Sequence, residues 1–473
     1  MAENRSLVTI DDLSNGEINA LFAAADEMSA DIYSQTEVCR GRIMASLFFE
    51  PSTRTRLSFE AAMLRLGGSV ITAADVGATS LAKGESIADM ARVVGSYADI
   101  IVIRHPWEGA AKVVADYAGI PVINAGDGGH EHPTQTLCDL YTLNKERGGI
   151  RGLKIALWGD LKYGRTIHSL TFALARFGAT IHFRPGPGLE MPEHVLRKLS
   201  TEYKGELKRG ESLDDQAGPE TLPLNAMYVT PSSPHQLAMM PDVSLRVELQ
   251  GGVDALYVTR LQKERLPAAG GADSIKDYPV VNKKLLQGKE FEKTLVMHPL
   301  PRIDELAHEM DADARSMYFK QAARGVPVRM ALIAFLLQAK KLEACREDDT
   351  FFVKRDYPVY RRGFGVRCAN PHCVSVQKSE VKFIKPEFKI ISERPLVLRC
   401  GYCEHELNPP FVASTEWHEG RVSTKKYHSA RSQWTSRIKM ENLIIFGSEH
   451  EARVHGFTPS HFIEKETCEA GMR

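Results

Sequence analysis

The chain has 473 residues, and its 43% hydrophobic and 25% charged residues are ordinary for a globular protein. At roughly 150 residues per domain, this length suggests about three domains. Lysine plus arginine and aspartate plus glutamate both number 60, so no net charge attracts the chain to nucleic acid or to a membrane surface. Near the N-terminus, acidic residues stand where a signal peptide would need an apolar core. No apolar run in the sequence is as long as a membrane span. We therefore expect a cytoplasmic protein with no membrane partner.

Apolar runs alternate with helical patterns in the first part of the chain. The predicted strands, each followed by a glycine-rich or polar turn, are Ile43–Phe49, Ser69–Ala73, Ile100–Arg104 and Val122–Asn124. This alternation is typical of a parallel α/β sheet, whose ligands bind at the carboxyl ends of the strands. The candidate site residues should therefore follow these strands.

The segment after the first strand reads S-T-R-T-R, from Ser52 to Arg56. Pro51 ends the strand and apolar residues then recur at helical spacing, so the segment lies at the start of a helix. Backbone N–H groups and the positive end of the helix dipole are joined there by three hydroxyl and two guanidinium groups. This combination predicts a phosphate-binding loop; the simpler alternative is an N-cap followed by two solvated arginines.

Two other segments are ambiguous when taken alone. Thr79–Glu85 is polar and is typical of a solvated loop. The run H-P-T-Q, from His132 to Gln135, is more often a helix cap with a partly buried histidine than a ligand site. The histidine is the group here that could act as an acid or base near neutral pH, yet polarising a carbonyl requires only an N–H donor.

A second α/β unit begins near Leu153. Its predicted elements are the strands Lys154–Trp158, Leu256–Thr259 and Leu295–His298 and the helix Thr166–Phe177. The turn G-D-L-K-Y-G-R-T resembles a nucleotide P-loop, but Arg165 stands where that loop needs lysine, so we reject an NTPase. The two α/β halves should face each other across a cleft.

The later segments connect and cover these units. Residues 208–252 are rich in Pro, Gly, Ser and Asp, which indicates a surface insertion. Residues 266–275 form either a mobile loop that closes over substrate or structural slack. The apolar helix Val328–Leu337 should pack against the first α/β half, and the composition of Lys340–Tyr360 indicates a charged connector.

Four of the eight cysteines form a C-x4-C and a C-x2-C knuckle, namely Cys368, Cys373, Cys400 and Cys403. Four thiolates at this spacing suit a closed tetrahedral structural zinc site, which leaves no position for catalysis. Buried free cysteines are the alternative. The scattered cysteines are predicted to be free thiols: Cys39, Cys138, Cys345 and Cys468.

The motifs together resemble the aspartate carbamoyltransferase family. Beyond F-F-E-P-S-T-R-T-R, they are H-P-W-E-G-A-A at 105–111, N-A-G-D-G at 124–128, H-P-T-Q-T-L at 132–137, G-D-L-K-Y-G-R-T at 159–166, T-R-L-Q-K-E-R at 259–265 and H-P-L-P-R at 298–302. They follow the order of the catalytic chain over roughly residues 5–340. The two cysteine knuckles resemble the zinc domain of the regulatory chain, whose nucleotide-binding domain has no counterpart here.

This resemblance implies two doubly wound parallel-sheet domains plus a small β-rich four-cysteine zinc domain. The implied layout is a carbamoyl-phosphate domain at 1–148 and 297–340, an aspartate domain at 149–296, a connector at 341–361 and a zinc domain at 362–411. The extension at 412–473 has no counterpart in the family, and its role is unknown. Structural zinc is expected, without an organic cofactor.

The resemblance also implies the site residues. Phosphate would be bound by Ser52, Thr53, Arg54 and Thr55, with Arg104 bridging phosphate and carbonyl. His132 and Thr55 would donate to the carbonyl oxygen, and Gln135 would bind the carbamoyl amide. Leu300 and Pro301, joined by a cis bond, would present backbone groups to carbamoyl phosphate.

The aspartate carboxylates would be bound by Arg165 and by Arg260 with Gln262. Ser80 and Lys83 would come from the neighbouring chain of a homotrimer.

The implied activity is transfer of a carbamoyl group from carbamoyl phosphate to L-aspartate, in pyrimidine biosynthesis. Pro299 replaces the cysteine that the related ornithine enzyme has at this point, which favours aspartate. The zinc domain could join trimers in pairs, and no CTP or ATP site is expected. The alternatives are a nucleic-acid-binding zinc ribbon and a non-catalytic scaffold of the same fold; neutral charge argues against the first and the retained site groups against the second.

Overall fold

The structure is a computed structural model that describes residues 5–74, 83–159, 161, 164–185, 191–203, 207–209, 226–230, 255–258, 281–303, 305–342, 351–362, 365–415, 425–432, 435 and 437–460. The chain forms two compact units. The first contains Met1–Val76, Val93–His105 and Ala118–Lys354, and the second contains Gly77–Arg92, Pro106–Tyr117 and Arg355–Arg473. No helix in the described residues is both long and apolar enough to span a membrane.

The first sheet of the first unit has the strands β1 (Ile43–Phe48), β2 (Ser69–Ala73), β3 (Ile100–His105) and β4 (Val122–Asp127). They are parallel and lie in the order β2-β1-β3-β4. Every residue of β3 and β4 is buried, as expected for strands covered on both faces. All four predicted strands are confirmed.

The helices follow the strands as the periodicity predicts. Those in the described residues are α1 (Asn15–Ala30), α2 (Thr53–Arg65), α3 (Ile87–Gly95), α4 (Ala110–Tyr117), α5 (Pro133–Arg147), α6 (Arg165–Arg176), α7 (Glu193–Glu202), α8 (Tyr318–Leu336) and α9 (Glu449–Val454). The start of α1 has a capping box, in which Ser14 Oγ accepts from the Glu17 N–H and the Glu17 carboxylate accepts from the Ser14 N–H. Helix α5 begins with Pro133 and is capped after Arg147 by Gly148, which has a left-handed φ of 73°.

Helix α8 packs against α1, α2 and α5, which confirms the prediction that the apolar helix returns to the first sheet's domain. Val328, Met330 and Ile333 belong to the large apolar core that also contains Phe59 and Leu140. The helix therefore completes the core around the first sheet, although it comes after all the strands of the second sheet in sequence.

The second sheet of this unit has the strands β5 (Lys154–Gly159), β6 (Thr180–Pro185), β7 (Leu207–Arg209), β8 (Ala226–Thr230), β9 (Ala255–Val258) and β10 (Leu295–Met297). All are parallel, in the order β10-β9-β8-β5-β6-β7. The prediction that residues 208–252 are a surface insertion is wrong for β8, which pairs with both β5 and β9 inside the sheet. The strand A-M-Y-V-T was hidden by the polar, proline-rich sequence around it; the loop predicted at 266–275 lies outside the described residues.

Two described parts of the connector segment take part in the fold. In the first unit, Phe352 is only 9% exposed and its ring stacks against the Arg176 guanidinium at 4.5 Å. Arg176 is fully buried, and it donates to the carbonyl oxygens of Ile10 and Leu13. In the second unit, residues 359–360 form a strand.

The second unit contains two small sheets. The first has the strands β11 (Val359–Tyr360), β12 (Phe388–Glu393), β13 (Leu396–Cys400) and β14 (Glu406–Leu407), and the second has β15 (Phe411–Ser414), β16 (Lys426–Ser429), β17 (Leu443–Phe446) and β18 (Thr458–Pro459). Neighbouring strands of the first sheet are antiparallel. Two parallel α/β sheets together with this four-cysteine β unit confirm the predicted fold class.

The extension after residue 411 shares one core with the cysteine-bearing sheet. Val412, Leu443 and Ile445 pack in the same cluster as Phe388 and Leu398. The Ile445 N–H also donates to the Tyr360 hydroxyl at 3.0 Å. The extension is therefore part of the folded unit.

Residues 83–92 and 106–117 are also part of the second unit. The Glu108 N–H donates to the His372 carbonyl at 2.9 Å, and Asn370 Nδ2 donates to the Glu108 carboxylate at 2.6 Å. Gly109 has a left-handed φ of 84°, and a Cβ there would lie 2.7 Å from the Tyr402 carbonyl carbon. Only glycine tolerates both the conformation and this approach.

Truncation after Pro410 should unfold the second unit. The cut removes Val412, Leu443 and Ile445, and each buried aliphatic side chain contributes about 1.5–3 kcal/mol. We expect the truncated protein to lose bound zinc and one calorimetric transition. Removal of residues 461–473 alone is the control and should change neither; retention of both signals by the longer truncation would contradict a shared core.

Candidate functional site

One cavity of about 380 Å³ in the first unit collects most of the predicted site residues. Those that line it are Ser52, Thr53, Arg54, Thr55, Arg104, His132, Gln135, Arg165, Leu300 and Pro301. They lie at or after the carboxyl ends of β1, β3, β4, β5 and β10, which is where a parallel sheet binds its ligands. Both halves of the unit contribute, as the predicted cleft requires.

The start of α2 forms one wall of the cavity. Ser52 occupies the N-cap position, but its side chain makes no capping hydrogen bond. Thr55 is buried, whereas Thr53 and Arg54 are exposed. The first-turn N–H groups and the dipole favour an anion here, and Arg54 adds a positive charge.

Arg104, at the end of β3, supplies a buried cation. Its Nη2 donates to Glu50 Oε1 at 2.7 Å and its Nη1 to the Ala125 carbonyl at 3.2 Å. Burial, followed by the charge of Arg165, lowers the pKa of Arg104 to about 10, so the side chain stays charged at neutral pH. The guanidinium is thus both charged and fixed in position.

Glu50 joins the two halves of the cavity. Its Oε1 accepts from Arg104 and also lies 3.5 Å from Arg165 Nη2, while Arg165 donates to the Gly128 carbonyl as well. Sequence reasoning missed this role of Glu50. The signal available was an acidic residue between a buried strand and an arginine-rich loop, but its partners lie 54 and 115 residues away.

His132 is held neutral. Burial, followed by the charges of Arg104, Arg165 and Arg329, lowers its pKa well below the usual value. Its Nδ1 accepts from the Gln135 N–H at 3.4 Å as the N-cap of α5. A neutral ring that accepts at Nδ1 carries its proton on Nε2, so His132 presents an N–H donor.

The loop after β10 is held by a second histidine. The Leu300 N–H donates to His298 Nδ1 at 2.8 Å, and His298 Nε2 contacts Glu305 Oε1 at 2.8 Å. The predicted cis bond between Leu300 and Pro301 is confirmed.

Arg329 of α8 also lines the cavity, and it donates to Ser58 Oγ at 3.1 Å. Neither His298 nor Arg329 was predicted as a site residue.

Four predicted site residues remain. Ser80, Arg260 and Gln262 lie outside the described residues. Lys83 is exposed and belongs to the second unit.

The four predicted metal ligands converge in the second unit. The Sγ atoms of Cys368, Cys373, Cys400 and Cys403 lie within 4.8 Å of one another, and all four residues are buried. The Cys368–Cys403 and Cys373–Cys400 Sγ distances are 3.5 and 3.8 Å. A tetrahedron with zinc–sulfur bonds of ~2.3 Å has sulfur–sulfur edges of roughly 3.8 Å, so the cluster fits a structural zinc ion. Cys39 and Cys138 are free thiols, as predicted, whereas Cys345 and Cys468 lie outside the described residues.

Removal of zinc by a chelator should unfold the second unit and leave the first unit, which contains the cavity, folded. Zinc binding and folding of such a small module are one process, because the thiolates otherwise repel one another in a shared core. We expect limited proteolysis to attack residues 83–92, 106–117 and 365–460 while sparing the first unit. A zinc-saturated chelator is the control, and uniform cleavage along the chain would contradict this.

Comparison with protein-family profiles gives three matches. Residues 5–145 match the aspartate/ornithine carbamoyltransferase carbamoyl-P binding domain, and residues 234–336 match the Asp/Orn binding domain of the same enzymes. Residues 362–410 match the metal binding domain of the aspartate carbamoyltransferase regulatory chain. Substrate domains and a metal domain therefore occur in one polypeptide.

Individual relatives agree with the profiles. The aspartate carbamoyltransferase catalytic subunit of Thermoplasma acidophilum is 46% identical over 339 residues, covering 71% of this chain and 99% of the relative. The solved catalytic subunit of M. jannaschii aspartate transcarbamoylase has a TM-score of 0.56 at 41% identity, over 71% of this chain and 98% of that one. Trypanosoma cruzi aspartate transcarbamoylase, in complex with carbamoyl aspartate and phosphate, has a TM-score of 0.55 at 36% identity, over 70% and 95%. The chain therefore belongs to the aspartate carbamoyltransferase family, with a metal domain of the regulatory-chain type following its catalytic part.

Proposed function

We propose that this chain transfers the carbamoyl group of carbamoyl phosphate to the amine of L-aspartate, giving N-carbamoyl-L-aspartate and phosphate. In the family, this reaction serves pyrimidine biosynthesis. The observation that supports the proposal most is the cavity in which a helix start, two buried guanidinium groups and a neutral imidazole donor meet. Such groups suit a phosphate dianion joined to a carbonyl that must be polarised.

Each part of carbamoyl phosphate has a proposed partner. Ser52, Thr53, Arg54 and Thr55 bind the phosphate at the start of α2. Arg104 contacts both phosphate and carbonyl oxygen, while His132 Nε2–H and the Thr55 hydroxyl donate to that oxygen. Gln135 binds the carbamoyl NH₂ group, and the backbone of Leu300 and Pro301 completes the site.

The proposed reaction is a direct displacement at the carbonyl carbon. The aspartate nitrogen attacks this carbon, negative charge develops on the oxygen, and the donors from Arg104, His132 and Thr55 stabilise it. The carbon–oxygen bond to phosphate then breaks, and the departing phosphate takes the proton released by the amine. His132 stays neutral throughout, in keeping with its lowered pKa.

Aspartate selectivity is proposed to come from paired carboxylate contacts. Arg165 binds one carboxylate, and Arg260 with Gln262 binds the other, because planar guanidinium groups bind carboxylates in a bidentate manner. Pro299 replaces the cysteine expected in an ornithine-specific enzyme.

The proposed assembly is a homotrimer with shared sites, to which Ser80 and Lys83 are contributed by the neighbouring chain. The zinc unit is proposed to join trimers in pairs, with its metal in a structural role alone. We also infer a cytoplasmic location, which the metabolic role of the family supports, and no regulation by CTP or ATP.

The first test supplies carbamoyl phosphate with either aspartate or ornithine. We expect carbamoyl-aspartate as the product, and no citrulline. The Arg54→Ala variant should lower kcat by about 10²–10³-fold because a charge-stabilising donor is lost. Arg40→Ala, which changes a surface arginine paired with Glu37, is the matched control. Absence of product from the unchanged protein would refute the proposed activity.

Shared sites can be tested by mixing two impaired variants. Arg54→Ala and Lys83→Ala each remove one side of a shared site, so mixed trimers regain sites in which neither residue is changed. We expect activity to rise well above the sum of the two variants after dissociation and reassembly. In the control, the two variants are mixed without dissociation and reassembly. An activity that does not rise on reassembly would contradict shared sites.

A further inference from the structure

A buried carboxylate beside the cavity has no part in the proposed chemistry. Asp139, on α5, is 1% exposed, and both of its oxygens accept hydrogen bonds. Oδ1 accepts from Gln135 Nε2 and from Gln321 Nε2, both at 2.8 Å. Oδ2 accepts from the Tyr257 hydroxyl at 2.6 Å. Three elements, α5, α8 and β9, thus meet at one carboxylate.

An ionised carboxylate accepts hydrogen bonds and donates none, so it fixes how the two glutamine amides are turned. Each must present its NH₂ group to Asp139. Gln321 confirms this assignment, because its Oε1 then accepts from the His298 N–H at 3.0 Å. The same logic leaves the Oε1 of Gln135 as an acceptor, and Gln135 lines the cavity.

We propose that Asp139 is a positioning residue that turns the Gln135 carbonyl oxygen toward substrate and thereby makes the site selective for a carbamoyl group. This inference rests on the proposed function. Carbamoyl and acetyl phosphate have the same shape, but the first has an NH₂ donor where the second has a methyl group. An acceptor at that point forms a hydrogen bond with the first and is left unpaired by the second.

The ionisation of Asp139 gives this arrangement a pH limit. Burial raises the pKa of Asp139 to about 6, while hydrogen bonds from Tyr257, Gln135 and Gln321 and the charge of Arg329 on α8 act in the opposite direction. Well above pH 6 the carboxylate is ionised and is an acceptor only. Below pH 6 it gains a proton and can donate to Gln135 Oε1, so the amide loses its single preferred orientation.

The test compares inhibition by acetyl phosphate with use of carbamoyl phosphate. In the unchanged protein, the KI for acetyl phosphate should exceed the KM for carbamoyl phosphate by roughly 10-fold or more. In Asp139→Asn, whose amide both donates and accepts, that ratio should fall several-fold. The KI for inorganic phosphate should stay the same, whereas general damage to the site would change it too.

Asp26→Asn is the matched control, since Asp26 bonds to Tyr141 and Lys145 and does not line the cavity. Should Asp139→Asn fail to fold, the unchanged protein still tests the inference, because its selectivity ratio should fall as pH drops through about 6. A ratio unaltered by both the substitution and pH overturns the role of Asp139. Absence of carbamoyl transfer in the unchanged protein instead overturns the proposed function, so the two failures are distinguishable.

Discussion

The guanidinium groups of Arg104 and Arg165 are buried at the end of the sheets and share one carboxylate, that of Glu50. Removing charge from water is costly unless it is paired, and here positive charge exceeds negative charge, the more so because Arg329 lies nearby. The same excess keeps His132 neutral. A site arranged in this way favours a doubly negative ligand, and its hydrogen-bonding groups are in place before that ligand arrives.

Local signals in the sequence were sufficient for the frame of the site. Four strands of the first sheet were predicted from apolar runs, and the cysteine knuckles were predicted from spacing alone. Strand β8 was missed because only five residues of strand pattern stand among prolines and serines. The shared core of the extension was missed because its partners, such as Tyr360 and Ile445, lie 85 residues apart.

Residues that position others are harder to predict than residues that touch a ligand. Glu50 and Asp139 are ordinary acidic residues in sequence, and their importance comes from partners as distant as 182 residues. Periodicity and motif spacing contain no information about such contacts. Ser52–Thr55, by contrast, act through a helix start, which the sequence marks locally.

The Thermoplasma acidophilum relative is named as a catalytic subunit, whereas the metal domain is named for a regulatory chain. In this protein both are translated together, so their stoichiometry is one to one and no excess of either part can accumulate. The second unit also contains residues 106–117, which lie within the matched carbamoyl-P binding domain, and its Glu380 carboxylate accepts from the Ile87 N–H. Because the four clustered cysteines belong to the core of this unit, we expect each newly made chain to need one zinc ion to complete its fold, which would link the yield of assembled protein to the metal supply of the cell that makes it.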